Sequence, residues 1–150
     1  MPLGELNLIT DIEQLLAREQ IKQVRARYFR CVDSRNWEGF LALFRPDAVL
    51  DLTDDLGHKF RGHEEILSVV RGIEGSVSVH HGHMPEIEFT SATRASGIWA
   101  MEDVLFWAPG SKSPISKLHG YGHYHDVYVC TDGRWQFESV TLRRIRVDTE

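Results

Sequence analysis

Cysteine is scarce in this chain of 150 residues: Cys31 and Cys130 are the two present, far apart in sequence. They form neither a CxxC pair nor a zinc-ligand spacing, which excludes a disulfide-stapled scaffold and leaves two free thiols packed in a core. Basic charge is also short. Seventeen Lys and Arg face 22 Asp and Glu, a net charge of −5 with no basic stripe, which argues against nucleic-acid or anionic-membrane partners. No apolar run approaches the roughly 20 residues needed to span a bilayer. Met1 to Thr10 has neither a charged opening nor a continuous apolar stretch, so no secretory leader is expected and the expected location is cytoplasmic. Repeats and low-complexity segments are missing as well.

What is present reads as one globular domain, 1–150. Hydrophobic residues at 42% and charged residues at 26% are ordinary for a packed domain of this length. Thr10 with Glu13 resembles a capping box opening a helix, whose apolar positions begin with Ile12, Leu15 and Leu16. The spacing of Ile21, Val24, Tyr28 and Val32 continues it and points Tyr28 inward. Asp33 lies about 140° round that helix from Tyr28 at 100° per residue, so the two converge only if the core wraps the helix end. Asn36 caps a second predicted helix, Trp37 to Phe44, stopped by Pro46. A strand at 48–52, a turn at 53–57, a short return strand at 58–62 and a helical segment from Glu64 follow.

After Gly75 the sequence turns to long strands. The stretch VHHGHMPEIEF (79–89) and the stretch ASGIWAMEDVLFW (95–107) flank a short polar connection at 90–94 and predict a hairpin. A turn centred near Ser91 or Ala92 sets His80 opposite Asp103 or its same-face neighbour Leu105, so His80 and Asp103 share one face within imidazole–carboxylate reach. A histidine whose ring is fixed by a carboxylate is a proton-transfer group at neutral pH. Residues 108–117, rich in Pro, Gly and Ser, form a loop long enough to be a lid. Strands at 118–131 and 135–147 close the chain through a tight Asp132-Gly133 turn. Helices first and a meandering antiparallel sheet afterwards predict an α+β fold: helices over one face of a curved, cone-shaped sheet, enclosing an apolar pocket.

The segment IKQVRARYFRCVDSRNWEGFLALF (21–44) followed by Pro-Asp-Ala, with VHHGHMPEI, GIWAMED and GYGHYHDVYVCTDGRW, resembles the SnoaL-like branch of the nuclear-transport-factor-two-like superfamily. Within that branch the chain is most similar to bile-acid dehydratases and more distantly to scytalone dehydratase. The resemblance implies a cystatin-like α+β barrel with a mixed sheet, and catalytic positions at Tyr28, Asp33, His80 and Asp103. It implies Arg144 as a further contributor, and a dimer or trimer of identical chains.

On this reading the chain is a cofactor-independent lyase or isomerase, most simply a dehydratase. It would act on a small hydrophobic hydroxylated carbonyl compound of steroid, polyketide or aromatic type. His80, held by Asp103, would move the proton, Tyr28 would donate to the oxygen that gains charge, and Asp33 would orient a water, Tyr28 or the leaving hydroxyl. Arg144, Trp99 and Tyr124 are expected to contact substrate. Two alternatives stand beside it. One is a non-catalytic binding or assembly module of the same fold. The other is a cupin-like metal site built from Gly75, His81, His83 and Glu88, with His123 and His125 on a later strand.

Overall fold

The computed structural model describes residues 10–150; the opening segment 1–9, read above as no secretory leader, lies outside the described residues. Helix α1 spans Asp11–Asp33 and starts on the expected capping box, with the Thr10 hydroxyl accepting from the Glu13 amide and the Glu13 carboxylate accepting from the Thr10 amide. Its packed stripe begins at Ala17 and runs through Ile21, Val24, Tyr28 and Val32. Ile12, Leu15 and Leu16, expected on that stripe, are instead exposed, since the first turns precede the packed part of the helix.

Helix α2 is shorter than its apolar pattern predicts, Trp37–Leu41. The next residues are captured by the sheet: the Leu43 carbonyl accepts from the Phe137 amide at 2.8 Å, and strand β1 already begins at Phe44 and runs to Leu52. Pro46 falls in the irregular stretch between the Phe44 and Val49 pairings, where a missing N–H costs no ladder bond. The predicted turn at 53–57 is a four-residue helix, α3 (Thr53–Leu56). It is started by Asp51, whose Oδ1 accepts from both the amide and the hydroxyl of Thr53. Strand β2 (His58–Arg61) returns along β1, and helix α4 (Gly62–Val70) runs into a 3₁₀ turn at Arg71–Ile73.

Four long strands complete the chain: β3 (Ser76–Ser91), β4 (Arg94–Trp107), β5 (Lys117–Thr131) and β6 (Arg134–Thr149). The sheet order is β2-β1-β6-β5-β4-β3. Only the β1–β6 contact is parallel among these neighbours, so the sheet is mixed. Register shifts interrupt β3 after His83 and Phe89, and β5 against β6 at Tyr121/Gly122 and Val127/Tyr128. Such irregularities bend strands, and the sheet curls around α1 and α4 as the predicted cone. On β4 every second residue from Ala95 to Leu105 is buried, the alternation of a sheet packed on one face. No described helix is long and apolar enough to cross a membrane.

Candidate active site

The cone is plugged at one end and hollow at the other. Phe40, Phe44, Tyr128 and Phe137 fill the plugged end with almost no exposure. Next to them lies a cavity of about 500 Å³ whose walls include Tyr28 and Val32 from α1, Val69 and Val70 from α4, and Leu105, Leu118 and Leu142 from the sheet. His80, Asp103, Tyr124 and Arg144 bring polar atoms to this apolar lining, and Asp54 and Asp55 bring α3 to it.

The β3–β4 register sets His80 directly opposite Asp103, one of the two pairings the hairpin spacing allows. The carboxylate that holds the imidazole is nevertheless Asp33. His80 Nδ1 lies 2.6 Å from Asp33 Oδ1, while the His80 backbone amide donates to Asp33 Oδ2 at 2.9 Å. Ser78, two residues earlier on the same face, donates its hydroxyl to Asp33 Oδ1 at 2.9 Å. Burial pushes the Asp33 carboxyl upward, but the hydrogen bonds from His80 and Ser78 outweigh it and leave the group below its ordinary value. An ionised Asp33 can accept from Nδ1–H, and in a neutral ring so oriented the lone pair is on Nε2.

Asp33 owes its place to the end of α1, where Arg35 adopts a left-handed φ of 59°. The Arg35 guanidinium donates to the Val32 carbonyl and the Ser78 hydroxyl, both at 2.7 Å, and to the Ile73 carbonyl at 3.0 Å. It thereby staples the helix end to the start of β3. Arg35 and Ser78 went unnoticed in sequence; for Ser78 the usable signal was its two-residue offset from His80.

Asp103 faces the same imidazole from the other side, with Oδ2 at 4.0 Å from Nε2. Its own partner is Arg144, which donates to Asp103 from Nη1 at 2.7 Å and from Nη2 at 2.9 Å. This pair lies across Gly120, where a Cβ would collide with both Arg144 Nη1 and Asp103 Oδ1. Arg144 also reaches α3, donating to Asp55 from Nε at 2.8 Å and from Nη2 at 3.0 Å. Burial works against its charge, but the hydrogen bonds to Asp103 and Asp55 hold the guanidinium firmly cationic.

Tyr28 and Tyr124 form the floor, their rings edge to face with centroids 5.9 Å apart. Burial raises both phenols above their ordinary value, which keeps them protonated and able to donate. Asp33 does not meet Tyr28; it meets His80. Trp99 is not part of the cavity wall. Its indole donates to the Tyr128 hydroxyl at 3.1 Å, and Tyr128 donates to Asp126 at 2.6 Å, a network inside the plugged end. Residues 108–116, between β4 and β5, do not line the cavity, whereas Asp54, Asp55 and Leu56 of α3 do.

The histidines considered for a metal stand on the uncovered side of the sheet. Ring centroids are 6.3 Å apart for His81 and His83 and 6.5 Å apart for His123 and His125. Among the described residues no three His, Cys, Asp or Glu side chains gather as a metal site.

A cone-shaped α+β fold with helices over one face of a curved mixed sheet defines a class of fold, and comparison with known families places the chain within it. A model of the SnoaL-like domain matches residues 13–141, and the chain belongs to the SnoaL-like family of the nuclear-transport-factor-two-like superfamily. Among solved structures it is similar to a candidate scytalone dehydratase from Novosphingobium aromaticivorans DSM 12444. That likeness has a TM-score of 0.83 at 22% identity, covering 94% of this chain and 92% of the other. It is also similar to a hexachlorocyclohexane dehydrochlorinase from Novosphingobium barchaimii LL02, with a TM-score of 0.80 at 21% identity and 94% of each chain covered. At these identities the likeness is one of fold.

Proposed function

We propose that this chain is a cofactor-independent lyase of the dehydratase type, acting by proton transfer on a small apolar hydroxylated carbonyl compound. The observation that carries the reading is the imidazole of His80, fixed through Nδ1 by Asp33 with Nε2 turned toward the apolar cavity. Nε2 takes the acidic proton beside the carbonyl, and the electron pair moves onto the carbonyl oxygen. The phenols of Tyr28 and Tyr124 donate to that oxygen as it gains charge. The pair then returns from that oxygen to form the carbon–carbon double bond and expels the β-hydroxide, which collects the proton from Nε2, so water departs and His80 is neutral again. Asp103, paired with Arg144, steadies the transient imidazolium from 4.0 Å. If no group leaves, return of the proton to another carbon gives the isomerase variant of the same chemistry.

The fold of a candidate scytalone dehydratase and of a dehydrochlorinase supports the elimination class. The same reading has the chain self-associate as a dimer or trimer, supported by Val77 and Phe106, paired neighbours on the uncovered sheet face and both exposed. Incubating the protein in D₂O with a panel of cyclic β-hydroxy ketones and their unsaturated products, read by mass spectrometry, tests the chemistry. Expected are deuterium uptake beside the carbonyl and loss of water, both falling by roughly a thousandfold in His80→Gln. Exchange no faster than buffer, or undiminished in His80→Gln, contradicts it.

A further inference from the structure

Arg144 is the one guanidinium among the described cavity-lining residues, and its position suggests a socket for a substrate carboxylate. A guanidinium offers two edges with parallel N–H pairs suited to a carboxylate. Asp103 fills the Nη1/Nη2 edge. Asp55 fills the Nε/Nη2 edge. The remaining Nη1 direction meets the Met101 sulfur at 3.8 Å.

The two carboxylates are not equivalent. The Asp103 side chain is 6% exposed and that of Asp55 is 28% exposed, so Asp55 covers the outer edge. Helix α3 holds it there. Asp54 Oδ2 accepts from the Arg144 amide at 2.9 Å, and Arg143 lies 3.6 Å from Asp54 and 3.8 Å from Asp51. Three carboxylates and one saturated guanidinium therefore border the cavity, together with the His80 imidazole and the phenols of Tyr28 and Tyr124, and the remaining wall is apolar.

We infer that Asp55 is a specificity-determining residue that keeps carboxylate-bearing molecules out, because it occupies from within the chain the guanidinium edge such a ligand would need. An entering anion finds no free donor pair on Arg144 and meets the like charge of Asp54 and Asp55 at the cavity's outer edge. The cavity takes uncharged molecules: ketones, lactones, esters or thioesters rather than free acids. This rests on the cavity being the ligand site proposed above and adds the charge class of the ligand.

The test is equilibrium binding of methyl 2-naphthoate and of 2-naphthoate, matched in shape and different in charge, followed by ligand fluorescence. The wild type is expected to bind the ester at least about tenfold more tightly than the acid anion. In Asp55→Ala the anion gains about tenfold or more while the ester changes by less than about threefold. Asp55→Asn, of nearly unchanged shape, shows the same direction and stands in if the alanine variant does not fold. Equal wild-type affinity for the two probes overturns the inference, as does no uptake of the ester or no gain for the anion in either variant. A parallel gain for both probes assigns Asp55 to α3 packing and overturns it too. Binding is read without turnover, so failure here leaves the proton-transfer proposal standing, and absence of proton transfer leaves the filter standing.

Discussion

Two arginine–aspartate pairs lie in the same cone, and they do different things. Arg25 and Asp126 are fully buried, with Arg25 Nε donating to Asp126 at 3.0 Å. The guanidinium is sandwiched among aromatic rings, 4.4 Å from the Tyr28 centroid and 4.1 Å from that of Tyr124. Its Nη1 has no hydrogen-bond acceptor among the described residues, and the surrounding ring faces satisfy it in part. Arg144 and Asp103 have the same chemistry but open onto a cavity, and they share their charges with His80 and α3. Tyr28 and Tyr124 are the partition, each in contact with the sealed guanidinium and each lining the cavity. Ion pairing alone therefore marks no active site; what distinguishes the second pair is space beside it.

The comparison breaks most visibly under arginine removal. Arg25→Met strands a carboxylate in a sealed core and is expected to cost about 3–5 kcal/mol of stability. Arg144→Met leaves Asp103 beside a cavity where water can reach it, and is expected to cost only about 1–2 kcal/mol. Urea denaturation of the two variants checks the ordering; equal losses would erase the distinction between sealed and open pairs.

A smaller effect is expected in acid. Asp33 has a folded-state pKa depressed by its hydrogen bonds, so its stabilising contribution is present above the unfolded value of about 3.9 and is lost as pH falls through the folded value. Asp33→Asn is therefore expected to be less stable than wild type near neutrality, with the difference narrowing below about pH 4. Melting curves across that range, on wild type and variant, test the sign.

Strand periodicity carried far. The alternation from Ala95 to Leu105 and the short polar turn place His80 opposite Asp103 or Leu105, on one face with Asp103 in either case, and the register selects Asp103. The capping box and the tyrosine on the inner face of α1 were equally legible. The division of labour between the two aspartates was not. Asp33 reaches His80 because the chain reverses after α1 through a left-handed Arg35 and docks on β3, a tertiary contact that helical spacing cannot express. Trp99, expected to contact substrate, is instead core, because the cone is solid at its level. The role of α3 was hidden for a similar reason: Thr53-Asp54-Asp55-Leu56-Gly57 reads as a turn, and only its docking against Arg144 makes it a cavity wall.

The proposed role of His80 as a base requires an Nδ1 proton held by Asp33 and an unprotonated Nε2 facing the cavity. Long-range ¹H–¹⁵N correlation spectra of histidine-labelled protein at neutral pH, assigned with His80→Gln, read this directly. A pyrrole-type Nδ1 and an imine-type Nε2 are expected for His80, with the Nδ1 signature lost in Asp33→Asn. An Nε2-protonated neutral ring, or a tautomer indifferent to Asp33, would contradict it.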